Sequence, residues 1–287
     1  MEFEGMKLAE IPPYVGVYAG IVDIDTDLAR RLLKHNTHNR AIRPGKVAEL
    51  VRVLGAGQWQ FNGEAVKFDR DGTMRDGQHR CAAITELDSP TSFPTLVVYG
   101  LDAQSQETMD QGTKRQAYEQ LTIAGIESDK TVAAAVRVLI RWREGLLFGD
   151  HKQADVTTSD IVAWAKANPG GMERFRELTA RGYRRISGCP PSVSLAVAYR
   201  FAEIDTEWGY EFFDNLLKPF GLPEGSPVWA LRSRLEQIVK RRQRVGDRNM
   251  IAYFVSAWNG FRDCRSMSFI PGPKGGIWTI ENFPEPK

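Results

Sequence analysis

The stretch Asp71-Gly72-Thr73-Met74-Arg75-Asp76-Gly77-Gln78-His79-Arg80 decides how the N-terminal third of this chain is read. Just upstream, Glu64 to Phe68 alternates as a strand does, Asp71-Gly72 is a strong hairpin signal, and Thr73-Met74 begins a returning strand. Downstream of the second turn, Asp76-Gly77, the apolar residues Ala83, Ile84 and Leu87 recur at helical spacing. The hydrophobic period changes across Asp76-Gly77, so a strand hands over to a helix there.

Working outward, Pro44 opens a helix in which Val47, Leu50, Val51 and Leu54 share a face, and Gly55 and Gly57 can stop it. On the other side, Thr95 to Tyr99 reads as an apolar strand. Helix, hairpin, helix, strand is a small α+β layer arrangement. Beyond Asp110 strand signals nearly vanish. Val132, Val136, Leu139 and Ile140 mark one helix. Ile161, Trp164 and Ala165 mark a second, opened by Thr157-Thr158 and closed before Pro169-Gly170-Gly171. Met250, Ile251, Phe254, Val255 and Trp258 mark a third behind the cap candidate Asp247. The expected organisation is an α+β domain over 1–115, an all-α domain over 116–270 and an irregular tail over 271–287 that packs back through Trp278 and Phe283.

Composition sets outer limits. With 42% hydrophobic and 26% charged residues among 287, each half has material for a core, which excludes wholesale disorder. The net charge of +2 announces no nucleic-acid partner by itself, so a basic face must be sought locally. Three dispersed cysteines, Cys81, Cys189 and Cys264, build neither a disulfide framework nor a paired-cysteine zinc motif, and a reducing cytoplasm is the natural expectation. Neither a signal-peptide stretch after the acidic start Met1-Glu2-Phe3-Glu4 nor a spanning apolar run is found, so a soluble protein without a membrane partner is expected.

The chemistry concentrates at the quoted stretch. A helix N-terminus presents unpaired amide donors and the positive end of a dipole, which together stabilise an anion. There Gly77 lets a phosphate approach the backbone, Arg80 can fork two phosphate oxygens, and His79 and Gln78 add donors or acceptors. Read blandly, Asp76-Gly77 is only a turn, Arg80 a solvated first-turn residue and His79 a surface or core histidine. Cys81 is either a buried structural thiol or, on the first turn of a helix, one with a lowered pKa.

The stretch resembles the DGQHR signature of the ParB/sulfiredoxin superfamily, in the ParB-like form found in phages and mobile elements. The resemblance covers roughly residues 15 to 115. It implies a small ParB/sulfiredoxin-like mixed α/β N-terminal domain with a nucleoside triphosphate, ATP or CTP, or a nucleic-acid phosphate bound at Gly77, Gln78 and Arg80. Similar phage proteins also keep an Asn-Arg pair, matched by Asn39-Arg40 within the run His35, His38, Arg40, Arg43, and a Met-Asp-x-Gly-x-x-Arg stretch, matched by Met109 to Arg115. There Asp110 can hold Mg²⁺ bridging phosphates, with Lys114 and Arg115 adding positive charge; alternatively Asp110 caps a helix and the two bases are solvated. Asp76 and Glu64 are candidate general bases, His79 a candidate proton-transfer group, and a solvent-facing strand position the duller reading of Glu64. Sulfiredoxin chemistry is discounted because Gln78 stands where the reactive cysteine would be. His35 and His38 lack companions at ligand spacing, which disfavours zinc.

In the helical half, Lys240, Arg241, Arg242, Arg244 and Arg248 cluster between two amphipathic helices, with a smaller group at Arg181, Arg184 and Arg185. Such runs are either solvated faces or phosphate contacts on DNA. Three functions stay open: an NTP-hydrolysing or phosphoryl-transferring enzyme linked to DNA, a metal-dependent nuclease, and a non-catalytic DNA-binding regulatory module. The oligomeric state is open too, a dimer included.

Overall fold

The structure, a computed structural model, describes residues 1–87, 91–109, 115–148, 155–273 and 276–287. Contacts divide the chain into two compact units, Met1–Lys114 with Asp150–Asp155, and Arg115–Gly149 with Val156–Lys287.

The first unit opens on a hairpin of β1 (Glu2–Phe3) and β2 (Met6–Lys7). Its main sheet holds β3 (Ala9–Ile11), β4 (Tyr14–Ile24), β5 (Ala65–Asp69), β6 (Met74–Asp76) and β7 (Phe93–Leu101), in the order β3-β4-β7-β5-β6. All neighbours are antiparallel except β5 and β7, which run parallel. Three helices, α1 (Thr26–Leu33), α2 (Pro44–Gly55) and α3 (Gln78–Thr85), share a core with the sheet. Val66 and Phe68 of β5 and Val97 of β7 meet Leu32, Val47, Cys81 and Ala83 there, all nearly excluded from solvent. Burial of such side chains stabilises a small domain by roughly 1.5–3 kcal/mol each before entropy is counted.

The hairpin, both flanking helices and the strand around Thr95 to Tyr99 form where the sequence places them. Helix α1 and the long strand β4 were not foreseen. Asp25 caps α1, its carboxylate accepting the Leu28 N–H at 2.7 Å, and the helix then buries Leu28, Ala29 and Leu32.

The second unit contains α4 (Ala117–Ile123), α5 (Lys130–Arg143), α6 (Thr158–Ala167), α7 (Pro169–Ala180), α8 (Pro191–Ile204), α9 (Thr206–Leu217), α10 (Pro227–Lys240) and α11 (Asp247–Arg262), and no strand among its described residues. An aromatic cluster anchors its core: Phe201 stacks on Trp258 at 4.4 Å between ring centres, beside Phe212, Phe213 and Phe254. Two readings of helix ends change. Pro169-Gly170-Gly171 does stop α6, but Pro169 also starts α7 at once, because its fixed φ suits a first helical position. Gly246, not Asp247, occupies the cap of α11, and Asp247 is the acidic residue of its first turn. Residues 271–287 carry neither helix nor strand where described, and their buried Trp278 and Phe283 join the core of this unit, with Phe283 edge-on to Phe148 at 5.1 Å. The chain is thus a mixed α+β protein, a small sheet with its helices followed by helices. No helix among the described residues is long and apolar enough to cross a membrane.

Candidate functional site

Strand β6 ends at Asp76, Gly77 stands between, and α3 starts at Gln78. Gly77 has φ +100°, and a Cβ there would come within 2.8 Å of Val66 Cγ2 and 3.1 Å of Val66 Cα. Only glycine fits a backbone pressed this closely against β5. The Asp76 carboxylate is engaged at both oxygens, accepting from the Gly77 N–H at 2.7 Å and from Lys67 Nζ at 3.0 Å.

Gln78, 5% exposed, points inward and ties down the loop between α1 and α2. Its carbonyl accepts from Asn36 Nδ2 at 3.0 Å and its amide donates to the Arg40 carbonyl at 3.1 Å. From Asn36 the network continues: Asn39 Nδ2 donates to Asn36 Oδ1 and to the Met74 carbonyl, each at 2.7 Å, and Asn39 Oδ1 accepts from Gln106 Nε2 at 2.8 Å. Gln106 in turn accepts from Arg75, whose guanidinium is paired with the 1%-exposed Asp69. A satisfied buried polar network of this kind holds one geometry. Here that geometry sets Arg40 and Arg43 against the start of α3. Asn36 and Gln106 were missing from the sequence reading, since nothing local marks partners 31 to 67 residues apart, and Asp69 was missed although Arg75 lies only six residues on.

His79 makes the junction. Its Nε2 accepts the backbone N–H of Arg43, the cap residue of α2, at 3.1 Å. Burial, followed by the charges of Arg40, Arg43 and Lys46, holds the imidazole below its ordinary pKa, with Asp76 opposing. His79 is therefore neutral at pH 7, with Nε2 as acceptor. Neither α2 nor α3 has a side-chain cap or an acidic residue in its first turn. Two positive helix ends and three cations thus share one corner of the unit, against ordinary helix-end electrostatics. Lys46 is paired with Glu49, while Arg40 and Arg43 are exposed and have no acidic partner among the described residues. Sequence reading overlooked Lys46; its position one turn into α2, level with the cap that meets His79, was the available signal.

Arg80 departs from the expected orientation toward the helix-end amides. Its guanidinium donates to the Glu64 carbonyl at 2.5 Å and the Ala65 carbonyl at 2.6 Å, clasping α3 to the start of β5. Glu64 itself is exposed. Cys81 is fully buried and its thiol is pushed up to about 12 by desolvation, which settles it as a structural thiol and corrects the alternative of a lowered pKa. His35 is engaged by Glu4 at 2.9 Å and packs on Phe3 and Phe68. Asp110 and Lys114 lie outside the described residues, and Arg115 counts with the second unit. Among the described residues no group of three or more His, Cys, Asp or Glu is placed to hold a metal, and the Asp76 carboxylate faces Lys67.

In the second unit, Lys240, Arg241, Arg242 and Arg244 are all exposed and lack an acidic partner among the described residues. Arg248 lies 5.8 Å over the Phe148 ring. The smaller group differs, with Arg181 paired to Glu177 and Arg184 to Asp129. Comparison of the whole chain with protein-family models, with curated proteins and with solved structures finds no match in any of the three.

Proposed function

We propose that this chain is a ParB-like, nucleic-acid-associated protein whose first unit binds a nucleoside triphosphate, ATP or CTP, by its phosphates where α2 and α3 begin, and whose second unit meets DNA through Lys240, Arg241, Arg242, Arg244 and Arg248. One observation carries the reading: the contact between His79 and the Arg43 N–H joins two uncapped helix N-termini amid Arg40, Arg43 and Lys46. A polyphosphate supplies the negative charge that the start of α2 lacks and adds to the one carboxylate, Asp76, at the start of α3. Arg40 and Arg43 offer planar forks for its oxygens, and Gln78 positions the loop that carries Arg40; Gly77, buried against Val66 with its N–H on Asp76, serves the packing of the turn and not the approach of a phosphate.

The reaction is nucleotide hydrolysis or phosphoryl transfer linked to DNA processing. Binding without turnover is the second reading, and it is favoured by the Asp76 carboxylate, whose two oxygens are already held. Calorimetric titration with ATP and with CTP, with and without Mg²⁺, together with phosphate-release assays, tests both. Binding that weakens about tenfold on Arg43→Ala is expected, the effect of one charged hydrogen bond. Absence of binding by ATP, CTP and pyrophosphate alike overturns the site. Binding with no phosphate released selects the second reading.

A further inference from the structure

The segment between α10 and α11 is flanked by two open clefts. One, of about 510 Å³, is lined by Cys189, Pro190, Ile238 and Val239 together with Arg242 and Arg244. The other, of about 420 Å³, includes Arg141, Gly246, Arg248 and Asn249. Their shared boundary is the basic segment 242–249.

The backbone of that segment adds an independent mark. Helix α10 ends with the Arg242 N–H on the Val239 carbonyl and the Gln243 N–H on the Ile238 carbonyl, which places Arg242 at the left-handed position of the motif, φ +50°. The same pair of bonds ends α2, α4 and α5, and there the left-handed residue is Gly57, Gly125 and Gly145. In α11 it is Cys264. The helix-end bonds impose this conformation, which costs an arginine more than it would a glycine. Arg242 lines the cleft together with Gln243 and Arg244 and with the apolar Ile238 and Val239.

We infer that the 510 Å³ cleft receives an unstacked base of single-stranded nucleic acid, with the strand running along residues 242–249 toward the second cleft. The inference rests on the proposed engagement of nucleic acid by the basic segment and names the form of nucleic acid it takes. Duplex DNA offers a convex row of phosphates that would meet the arginines and leave the apolar walls unused. A single strand offers phosphates and free bases together. Bases stack on arginine planes as well as on aromatic rings, and a side-chain amide such as Gln243 can bond their edges. An acidic peptide would satisfy the charges without needing an apolar-walled cleft.

The test uses the full chain with a fluorescein-labelled single strand of mixed sequence, the same strand annealed to its complement, and polyglutamate as competitor. The single strand is expected to bind about tenfold or more tightly than the duplex, the effect of a base held by stacking. Arg242→Gly is chosen because glycine suits the left-handed position: its melting temperature should equal or exceed that of the parent, while single-strand affinity falls severalfold and duplex affinity changes little. Val239→Trp, which fills the cleft from an exposed position, should reproduce the selective loss. Equal affinity for both probes, each lost when Lys240, Arg241 and Arg244 are neutralised together, keeps the basic segment as a nucleic-acid contact and overturns the cleft. Binding of neither probe overturns both readings. Displacement by polyglutamate as effective as by unlabelled strand shows a peptide site and overturns the inference too.

Discussion

The Nε2 of His79 accepts the backbone N–H of Arg43 at 3.1 Å, so the first turn of α3 supplies the acceptor that the N-terminus of α2 lacks in its own sequence. That single bond fixes the tautomer of His79 and draws three cations around it. Its pH dependence follows. Because the folded pKa of His79 lies below its ordinary value, the unfolded chain binds more protons in the window between the two. Stability from this group is complete above about pH 6.5 and declines as pH falls through that value, levelling off below the folded pKa. NMR titration of the histidine side chains, with His79 assigned by His79→Gln, should show His79 titrating below 6.5 when free. A bound polyphosphate should raise it, and linkage then requires tighter binding as pH falls. A His79 pKa that a saturating nucleotide leaves unmoved contradicts the placement of the anion.

Gly77→Ala forces a Cβ against Val66 at a backbone angle of +100°. Relief requires movement of β5 or of the start of α3, so about 2 kcal/mol or more of stability should be lost. Gly63→Ala is the control, since Gly63 also has positive φ, +78°, but no atom within 4 Å of the added carbon. Urea denaturation of both variants gives the comparison. Equal losses would mean that backbone angle alone, not close approach to β5, requires glycine at position 77.

Arg80 offers a sharper test of what motif reading can deliver. As long as its guanidinium clasps the Glu64 and Ala65 carbonyls, Arg80→Ala removes two charged hydrogen bonds and should destabilise the protein by roughly 1–3 kcal/mol, with an unchanged denaturant slope. Lysine should recover only part of this, having no fork. If instead stability holds and nucleotide affinity falls more than about tenfold, the guanidinium leaves the carbonyls for the ligand, as the position of Arg80 after Gly77 suggested.

The strand-to-helix turn at Gly77 was legible because it is local: period, hairpin dipeptide and glycine all lie within ten residues. Helix α2 was legible through Pro44 and its apolar face. Strand β4 was not, since Gly16, Gly20 and Asp23 break the strand pattern and its exposed Ile21 removes the alternation. Gly20 lies so close to the preceding chain that a Cβ would be 3.1 Å from Leu8 Cδ2, a constraint visible only once the strands pair. The direction of β5 against β7 is equally non-local. At the site, the types of residue were readable but not their orientations: Gln78 and Arg80 serve neighbours 15 to 42 positions away in the chain. Side chains of the same kind on an isolated turn would face the solvent.

The basic segment between α10 and α11 makes a quantitative claim on salt dependence. Each cation that neutralises a phosphate releases condensed counterion, so the logarithm of the binding constant falls with the logarithm of salt by about 0.7 per contact on a single strand and 0.9 on B-form DNA. Lys240, Arg241 and Arg244 are exposed and unpaired among the described residues, so neutralising them to glutamine breaks no ion pair described in the fold and should change stability by about 0.5 kcal/mol or less. The magnitude of the slope should then drop by about 2 on a single strand if all three contact phosphate. The control, two cations against three, is glutamine at Arg181 and Arg184, whose charges are already committed to Glu177 and Asp129 and should leave the slope where it was. Fluorescence anisotropy across a salt series measures both. A slope that falls equally per charge removed in the two variants reports overall charge and removes the segment from the interface; a slope unchanged in the first shows a solvated face and nothing more.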